Sequence, residues 1–324
     1  MQDEVPNIDD ETLKQILKEH YGVEGEIKSL VSYEDQNASV DTGKEKYVLK
    51  ISNKRWSRNF VQMQSDVLDH LKIAAPDLTF PSVVKALNGE ATLYKDDFAV
   101  RLLTYLEGEL LTNIPRTPEL YRDVGRFLGQ FSKAMQSYSP LPNSDGSDIY
   151  WKLDNVIACK KYLPEVMDED ARDRIERLYK VYDQKIAPLL PSFRKAVIHS
   201  DANEQNFLLD PATPTKITGL IDFGEMQFAS QINDLAITLA YGMLGEEDIA
   251  MGTREIIAGY ENEFPLEDQE REVLYYLMAM RLVTNITMTS HASKQQPDNT
   301  YILISQGPAR ALLKRLEDEN YIQL

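Results

Sequence analysis

Apolar positions recur at helical spacing over residues 9–21, where Leu13, Ile16 and Leu17 share one face and Asp9 or Asp10 stands where a cap belongs. The pattern then changes to short β-like runs at 26–31, 37–40 and 46–52, the last containing Tyr47-Val48-Leu49-Lys50-Ile51. Helical spacing returns over 59–73, with Phe60, Met63, Val67, Leu68 and Leu71 in one stripe. After the segment 81–84, strand-like runs around 91–94 and 98–106 stop at Glu107-Gly108. Beyond that glycine the pattern is mostly helical, over 118–136, 151–159, 169–186, 232–244, 252–264, 268–290 and 302–319. Two brief apolar runs interrupt it, Ala196-Val197-Ile198 and Leu220-Ile221. The expectation is an α+β protein in two parts, a sheet-bearing segment 1–106 and a larger helical segment 107–324. No internal repeat or low-complexity stretch appears, and the polar loop 139–148 reads as a surface linker.

Each of the two apolar runs leads into chemistry. After the first comes His199-Ser200-Asp201-Ala202-Asn203-Glu204-Gln205-Asn206, which fits H-x-D-x-x-x-x-N, and after the second comes Asp222-Phe223-Gly224. In that order the two are the catalytic loop and the metal-binding segment of a kinase-type phosphotransferase. Phosphoryl transfer asks for a carboxylate to take the proton of the attacking hydroxyl and for oxygen ligands to hold Mg²⁺ on the phosphates. Asp201 is the expected base, Asn206 and Asp222 the expected metal ligands. Read singly, either motif is an ordinary polar turn; their order and flanking apolar runs carry the reading. His199 is expected to pack and hold the loop rather than to exchange protons, and Asp234 to brace it.

Lys50 occupies the place of the strand lysine that pairs with nucleotide phosphates. The following helix offers Gln62, Gln64, Asp66 and Asp69 but no Glu, so the anchor is left open between a neutral amide and Asp66. Tyr105 and Leu106 form a short crossing segment whose backbone polar groups suit a purine edge. The nucleotide site is therefore expected from Gln36, Asn37, Lys50, Tyr105 and Leu106.

Composition narrows the class. With 52 Asp plus Glu against 35 Lys plus Arg, a net charge of -17, the surface repels nucleic acid and anionic membranes. An apolar fraction of 43% supports a folded core, and no run is long and apolar enough for a membrane span. The acidic start Met1-Gln2-Asp3-Glu4 and the single Cys159, read as a structural thiol, fit a cytoplasmic, reducing setting. The four histidines show no clustered spacing for zinc.

There is no G-x-G-x-x-G loop and no A-P-E segment; Tyr33-Glu34-Asp35-Gln36-Asn37 stands where the former would lie. In this the chain resembles the aminoglycoside phosphotransferase and choline kinase superfamily, with Ser200 where that superfamily usually has Gly. Within it, Ser32–Asn37, Tyr47–Asn53, Asn203–Asn206, Ala279–Val283 and Pro297–Tyr301 resemble the hydroxylysine kinases. The resemblance implies a bilobal protein-kinase-like fold and γ-phosphate transfer from ATP or GTP to a small amino alcohol or hydroxy amino acid, 5-hydroxylysine first among them. Such an acceptor carries a carboxylate and amines. Arg281, on an apolar helix, then reads either as the carboxylate's partner or as half of an internal ion pair. Glu204 and Glu225 read either as partners of ammonium groups or as loop carboxylates. An aminoglycoside, choline or homoserine kinase of the same fold, and a nucleotide-binding pseudokinase, are the alternatives; intact Lys50, Asp201, Asn206 and Asp222 argue against the last.

Overall fold

The computed structural model describes residues 5–32, 35–144, 151–297 and 300–324, without the side chains of 300 and 301. Tyr33 and Glu34, positions 145–150 of the polar loop, and Asp298 and Asn299 lie outside the described residues.

Asp9 caps helix α1 (Asp10–Ile16) by accepting from the Thr12 N–H at 2.9 Å. The helix runs on through a wider turn, Leu17–Tyr21, and stops at Gly22, whose φ of 67° suits a glycine. Strands β1 (Glu26–Leu30), β2 (Gln36–Asp41) and β3 (Lys46–Ser52) follow as an antiparallel meander. After helix α2 (Arg58–Ala74), capped by Ser57, come β4 (Val83–Val84), β5 (Leu93–Lys95) and β6 (Phe98–Thr104). The sheet order is β1-β2-β3-β6-β4, with β5 also on β6, and every pairing is antiparallel.

Strand alternation sorts this sheet into two faces. Val40, Leu49, Ile51, Val100 and Leu102 pack against Leu13, Ile16, Leu17 and Tyr21 of α1 and its extension. The opposite face carries Lys50 and Arg101, which lie directly across from one another on β3 and β6. Helix α2 covers that second face. Its Phe60, Met63, Val67, Leu68 and Leu71 belong to one core with the helices that follow.

In the helical part, β7 (Glu109–Leu110) precedes α3 (Pro118–Met135), and α4 (Glu169–Val181) leads toward β8 (Lys195–Ile198). Then come β9 (Phe207–Leu209), β10 (Ile217–Leu220), β11 (Gln227–Ser230), α5 (Ile232–Gly242), α6 (Ile249–Glu263), α7 (Asp268–Gln295) and α8 (Gln306–Asp318). Strand β9 sits between β7 and β10, while β8 pairs with β11. These small ladders fix both ends of the two loops that the motifs occupy. Among the described residues no helix is long and apolar enough to cross a membrane.

Several sequence expectations shift. The helix expected at 151–159 is a run of 3₁₀ turns, Leu153–Glu165, with a non-helical Asn155 and an internal Pro164 that removes a backbone donor. The 169–186 helix loosens into a wider turn after Val181, and the last helix begins at Gln306 rather than 302. Helix α6 starts earlier than 252 because Asp248 caps it.

Helices α3 and α6 cross very closely. A Cβ on Gly125 would stand 1.9 Å from the Ile256 carbonyl oxygen, and one on Gly259 would stand 1.9 Å from that of Arg122. Gly259→Ala is therefore expected to destabilise the fold by about 1–3 kcal/mol, even though alanine is the better helix former. A urea midpoint unchanged or raised in that variant would show that the helices separate freely.

Candidate active site

Strand β8 delivers the chain into the first loop, and α5 holds that loop from below. The backbone N–H groups of His199 and Ser200 both donate to the Asp234 carboxylate, at 2.9 and 2.7 Å. Burial pushes the Asp234 carboxyl up to about 7, against the two donors that favour its charge. Ser200 sits at φ 68°, a left-handed conformation in which glycine is unstrained. Its hydroxyl accepts from Gln227 on β11, a contact unavailable to glycine. The Thr238 hydroxyl then donates to the Ala202 carbonyl at 2.7 Å.

His199 is fully buried, with Phe223 edge-on at 4.8 Å. Its Nε2 lies 3.0 Å from the Ile221 carbonyl and its Nδ1 accepts from the Asp201 N–H at 3.3 Å. Burial lowers its pKa to about 4, so the ring is neutral and joins the two motif segments mechanically.

Asp201 is held at both oxygens. Asn203 Nδ2 donates to Oδ1 and Asn206 Nδ2 to Oδ2, each at 2.9 Å. Arg281 Nη2 lies 3.6 Å from Oδ1. Burial raises the Asp201 carboxyl to about 6, with the Arg281 charge opposing. That range suits a proton acceptor near neutral pH. Asn206 also donates to the Asp201 carbonyl at 2.8 Å, which commits its amide nitrogen and leaves its side-chain oxygen as the open end.

Asp222 follows β10 at φ 61° and opens the turn Phe223–Glu225. The Ile221 N–H donates to the Asn206 carbonyl at 2.9 Å, so the two motif segments are bonded together. Lys50 Nζ reaches Asp222 Oδ1 at 2.7 Å, and this positive charge holds the Asp222 carboxyl below its ordinary range. The anchor of Lys50 is thus Asp222 and none of the α2 candidates. Asp66 instead accepts from Gln62, and Gln64 donates to the Gly224 carbonyl.

Between the sheet and these loops lies a cavity of about 510 Å³. Lys50, Asn206 and Asp222 line its polar end; Val48, Leu103 and Leu208 are among its apolar walls. Asn37, Tyr105 and Leu106 line it too. Asn37 has a buried side-chain oxygen without a hydrogen-bond partner among the described residues. Gln36 departs from expectation. It is not among the lining residues, and its amide instead clasps the Ile8 backbone at 2.7 and 2.8 Å. The reason is parity: Asn37 pairs with Lys50 and shares its face, whereas Gln36 pairs with Ile51 and faces the α1 side. The Tyr105 N–H is also already taken, donating to the Lys46 carbonyl at 3.1 Å, so it cannot read a base.

Of the remaining candidates, Arg281 is 4% exposed, lies between the rings of Trp151 and Tyr241, and donates to the Trp151 carbonyl at 3.2 Å. Its ion-pair partner in the same part of the fold is Asp201. Glu204 and Glu225 do not line the cavity. One Glu204 oxygen is buried without a hydrogen-bond partner, and burial raises that carboxyl. Cys159 is buried, its thiol pushed up to about 11 by burial, which suits a structural thiol. His291 stacks on Tyr162 and contacts Glu165 at 3.0 Å. Sequence reasoning passed over Arg101, Gln227, Trp151 and Tyr241. For Arg101 a signal existed, a lone charge inside the apolar run Phe98-Ala99-Val100-Arg101-Leu102-Leu103.

A protein-kinase-like fold whose cleft gathers a strand lysine, a paired Asp–Asn and a second Asp defines a class of phosphotransferase. The chain belongs to the phosphotransferase enzyme family, whose model matches residues 26–273. It is 29% identical to a hydroxylysine kinase of Xenopus laevis over 339 residues, covering 97% of this chain and 91% of that protein. Its fold is similar to that of a microcompartment-associated aminopropanol kinase, with a TM-score of 0.76 at 18% identity, covering 97% and 99% of the two chains. An amicoumacin kinase in complex with AMP-PNP, Ca²⁺ and Ami gives a TM-score of 0.73 at 16% identity, covering 96% and 94%.

Proposed function

We propose that this phosphotransferase moves the γ-phosphate of ATP or GTP to the hydroxyl of a hydroxy amino acid, with 5-hydroxylysine as the leading acceptor. The observation that carries the reading is the convergence of Asn206, Asp222 and Lys50 at one end of a nucleotide-sized cavity, with Asp201 hydrogen-bonded to Asn206 just behind that end. The parts 1–106 and 107–324 act as two lobes with the nucleotide between them. Asp201 takes the hydroxyl proton. Asn203 and Asn206 keep its carboxylate aimed, and Asp234 keeps the loop beneath it in place. Lys50 turns from Asp222 toward the phosphates. Asp222 and the open oxygen of Asn206 are hard oxygen donors, which fits Mg²⁺ completed by phosphates and water. When bound, that ion neutralises charge developing on the transferred group. A single buried thiol suits the reducing cytoplasm.

Support for the acceptor comes from the likeness to hydroxylysine kinases and from Arg281, a planar cation placed beside the base. Glu204, with its unmet carboxylate oxygen, is the candidate for an acceptor ammonium group, ahead of Glu225. Because Arg281 also faces Asp201, removing it affects turnover with any acceptor. The selective part appears as a difference between acceptors. Arg281→Met is expected to raise the KM for 5-hydroxylysine by roughly ten- to a hundredfold, and to change that for 1-amino-2-propanol far less. Equal changes would make Arg281 structural. A wild-type preference for the carboxylate-free acceptor would overturn the hydroxy-amino-acid assignment.

A further inference from the structure

Arg101 and Lys50 face each other across neighbouring strands, two cations on the cavity side of one sheet. Like charges in that arrangement repel and require an explanation. Lys50 has Asp222 at 2.7 Å. Arg101, 2% exposed and lining the same cavity, has only neutral partners within bonding distance among the described residues. Its Nη2 donates to Gln64 Oε1 at 2.6 Å and to Ser52 Oγ at 3.2 Å, and its Nε is buried without a hydrogen-bond partner. Asp35 and Asp222 attract it from a distance, while burial works against its charge.

Gln64 is the other half of the arrangement. With its oxygen on Arg101, its amide nitrogen donates to the Gly224 carbonyl at 3.1 Å, within the turn that follows Asp222. An amide satisfies a guanidinium on one side and a carbonyl on the other. A carboxylate satisfies only the first and repels the second. The neutral residue on α2 is therefore required by what surrounds it.

We infer that Arg101 and Gln64 together replace the acidic residue missing from α2, with Arg101 as a positioning residue for the nucleotide phosphates. Arg101 orients Gln64, Gln64 holds the backbone beside Asp222, and the Arg101 charge keeps the Lys50 ammonium turned toward the phosphate end of the cavity. A buried cation with no carboxylate of its own also favours an anion there, and the polyphosphate supplies one. This deepens the nucleotide part of the proposed function and rests on it.

The test measures Mg·ADP binding by calorimetry without acceptor, beside steady-state KM values for both substrates. Arg101→Met is expected to weaken Mg·ADP binding about tenfold or more and to raise the nucleotide KM in parallel, with the acceptor KM within about twofold. Arg101→Lys, which keeps the charge and loses the fork, should recover part of the binding. Gln64→Glu should weaken binding too, by neutralising Arg101 and repelling the Gly224 carbonyl. If Arg101→Met does not fold, Arg101→Lys and Gln64→Glu carry the test. Mg·ADP affinity within about twofold of wild type in Gln64→Glu and in the folded Arg101 variants would overturn the inference. A wild-type protein that binds no Mg·ADP would instead overturn the nucleotide reading beneath it.

Discussion

Asp201→Asn is expected to lower turnover by a factor on the order of 10² to 10⁴, with Mg·ADP binding close to wild type. Chemically, an amide cannot take the acceptor hydroxyl's proton. Structurally, both Asp201 oxygens receive amide donors, from Asn203 and Asn206. An asparagine at 201 sets its own NH₂ against one of them, so the loop loses part of its aim as well as its base. The melting temperature serves as the control, because Asp234 braces the loop through backbone groups that the substitution leaves alone. Near-normal turnover in a folded Asp201→Asn protein would remove Asp201 from the base role.

Asp222→Ala should go further and reduce activity by more than about 10³, taking Mg²⁺-dependent nucleotide binding with it. It deletes the charged oxygen ligand and also strips Lys50 of its partner, leaving two buried cations, Lys50 and Arg101, with no close carboxylate among the described residues. Some loss of stability is expected from that alone. Asp222→Asn separates the effects, since its side-chain oxygen can still accept from Lys50. A more stable but equally inactive Asn variant is the expected pair of results. Unchanged Mg²⁺ dependence in both would mean that another carboxylate holds the ion.

The parts of this site that lie close together in the chain were readable from it. Asp201 and Asn206 sit on one short loop, and Asp222 follows the next strand, so local pattern sufficed to bring them forward. What the local pattern does not carry depends on partners distant in sequence. Gln36 and Asn37 are adjacent, and only the register of β2 against β3 decides which one shares the face of Lys50. The anchor of Lys50 is 172 positions away, so no inspection of α2 could supply it. The run 151–159 has enough apolar residues to look helical, but Asp154 is gripped by Lys195, Ser230 and Asn233, and this tertiary clamp overrides the local pattern. The crossing segment 105–106 reads as offering backbone groups to a purine edge, and that the Tyr105 N–H adds a rung to the ladder with Lys46 is invisible before strands are paired.

Helix α2 has one further consequence, for control of the enzyme. Its apolar stripe is part of the core formed by the C-terminal helices. Asn59 donates to the Pro142 carbonyl, His70 contacts the Ala134 carbonyl, and Gln64 holds Gly224. A helix moored at three points along its length is not a lever that a partner or modification can swing out to switch catalysis off. Any opening of the cavity is therefore expected to carry the sheet together with α1, whose core is separate, and to leave α2 with the helices that follow it.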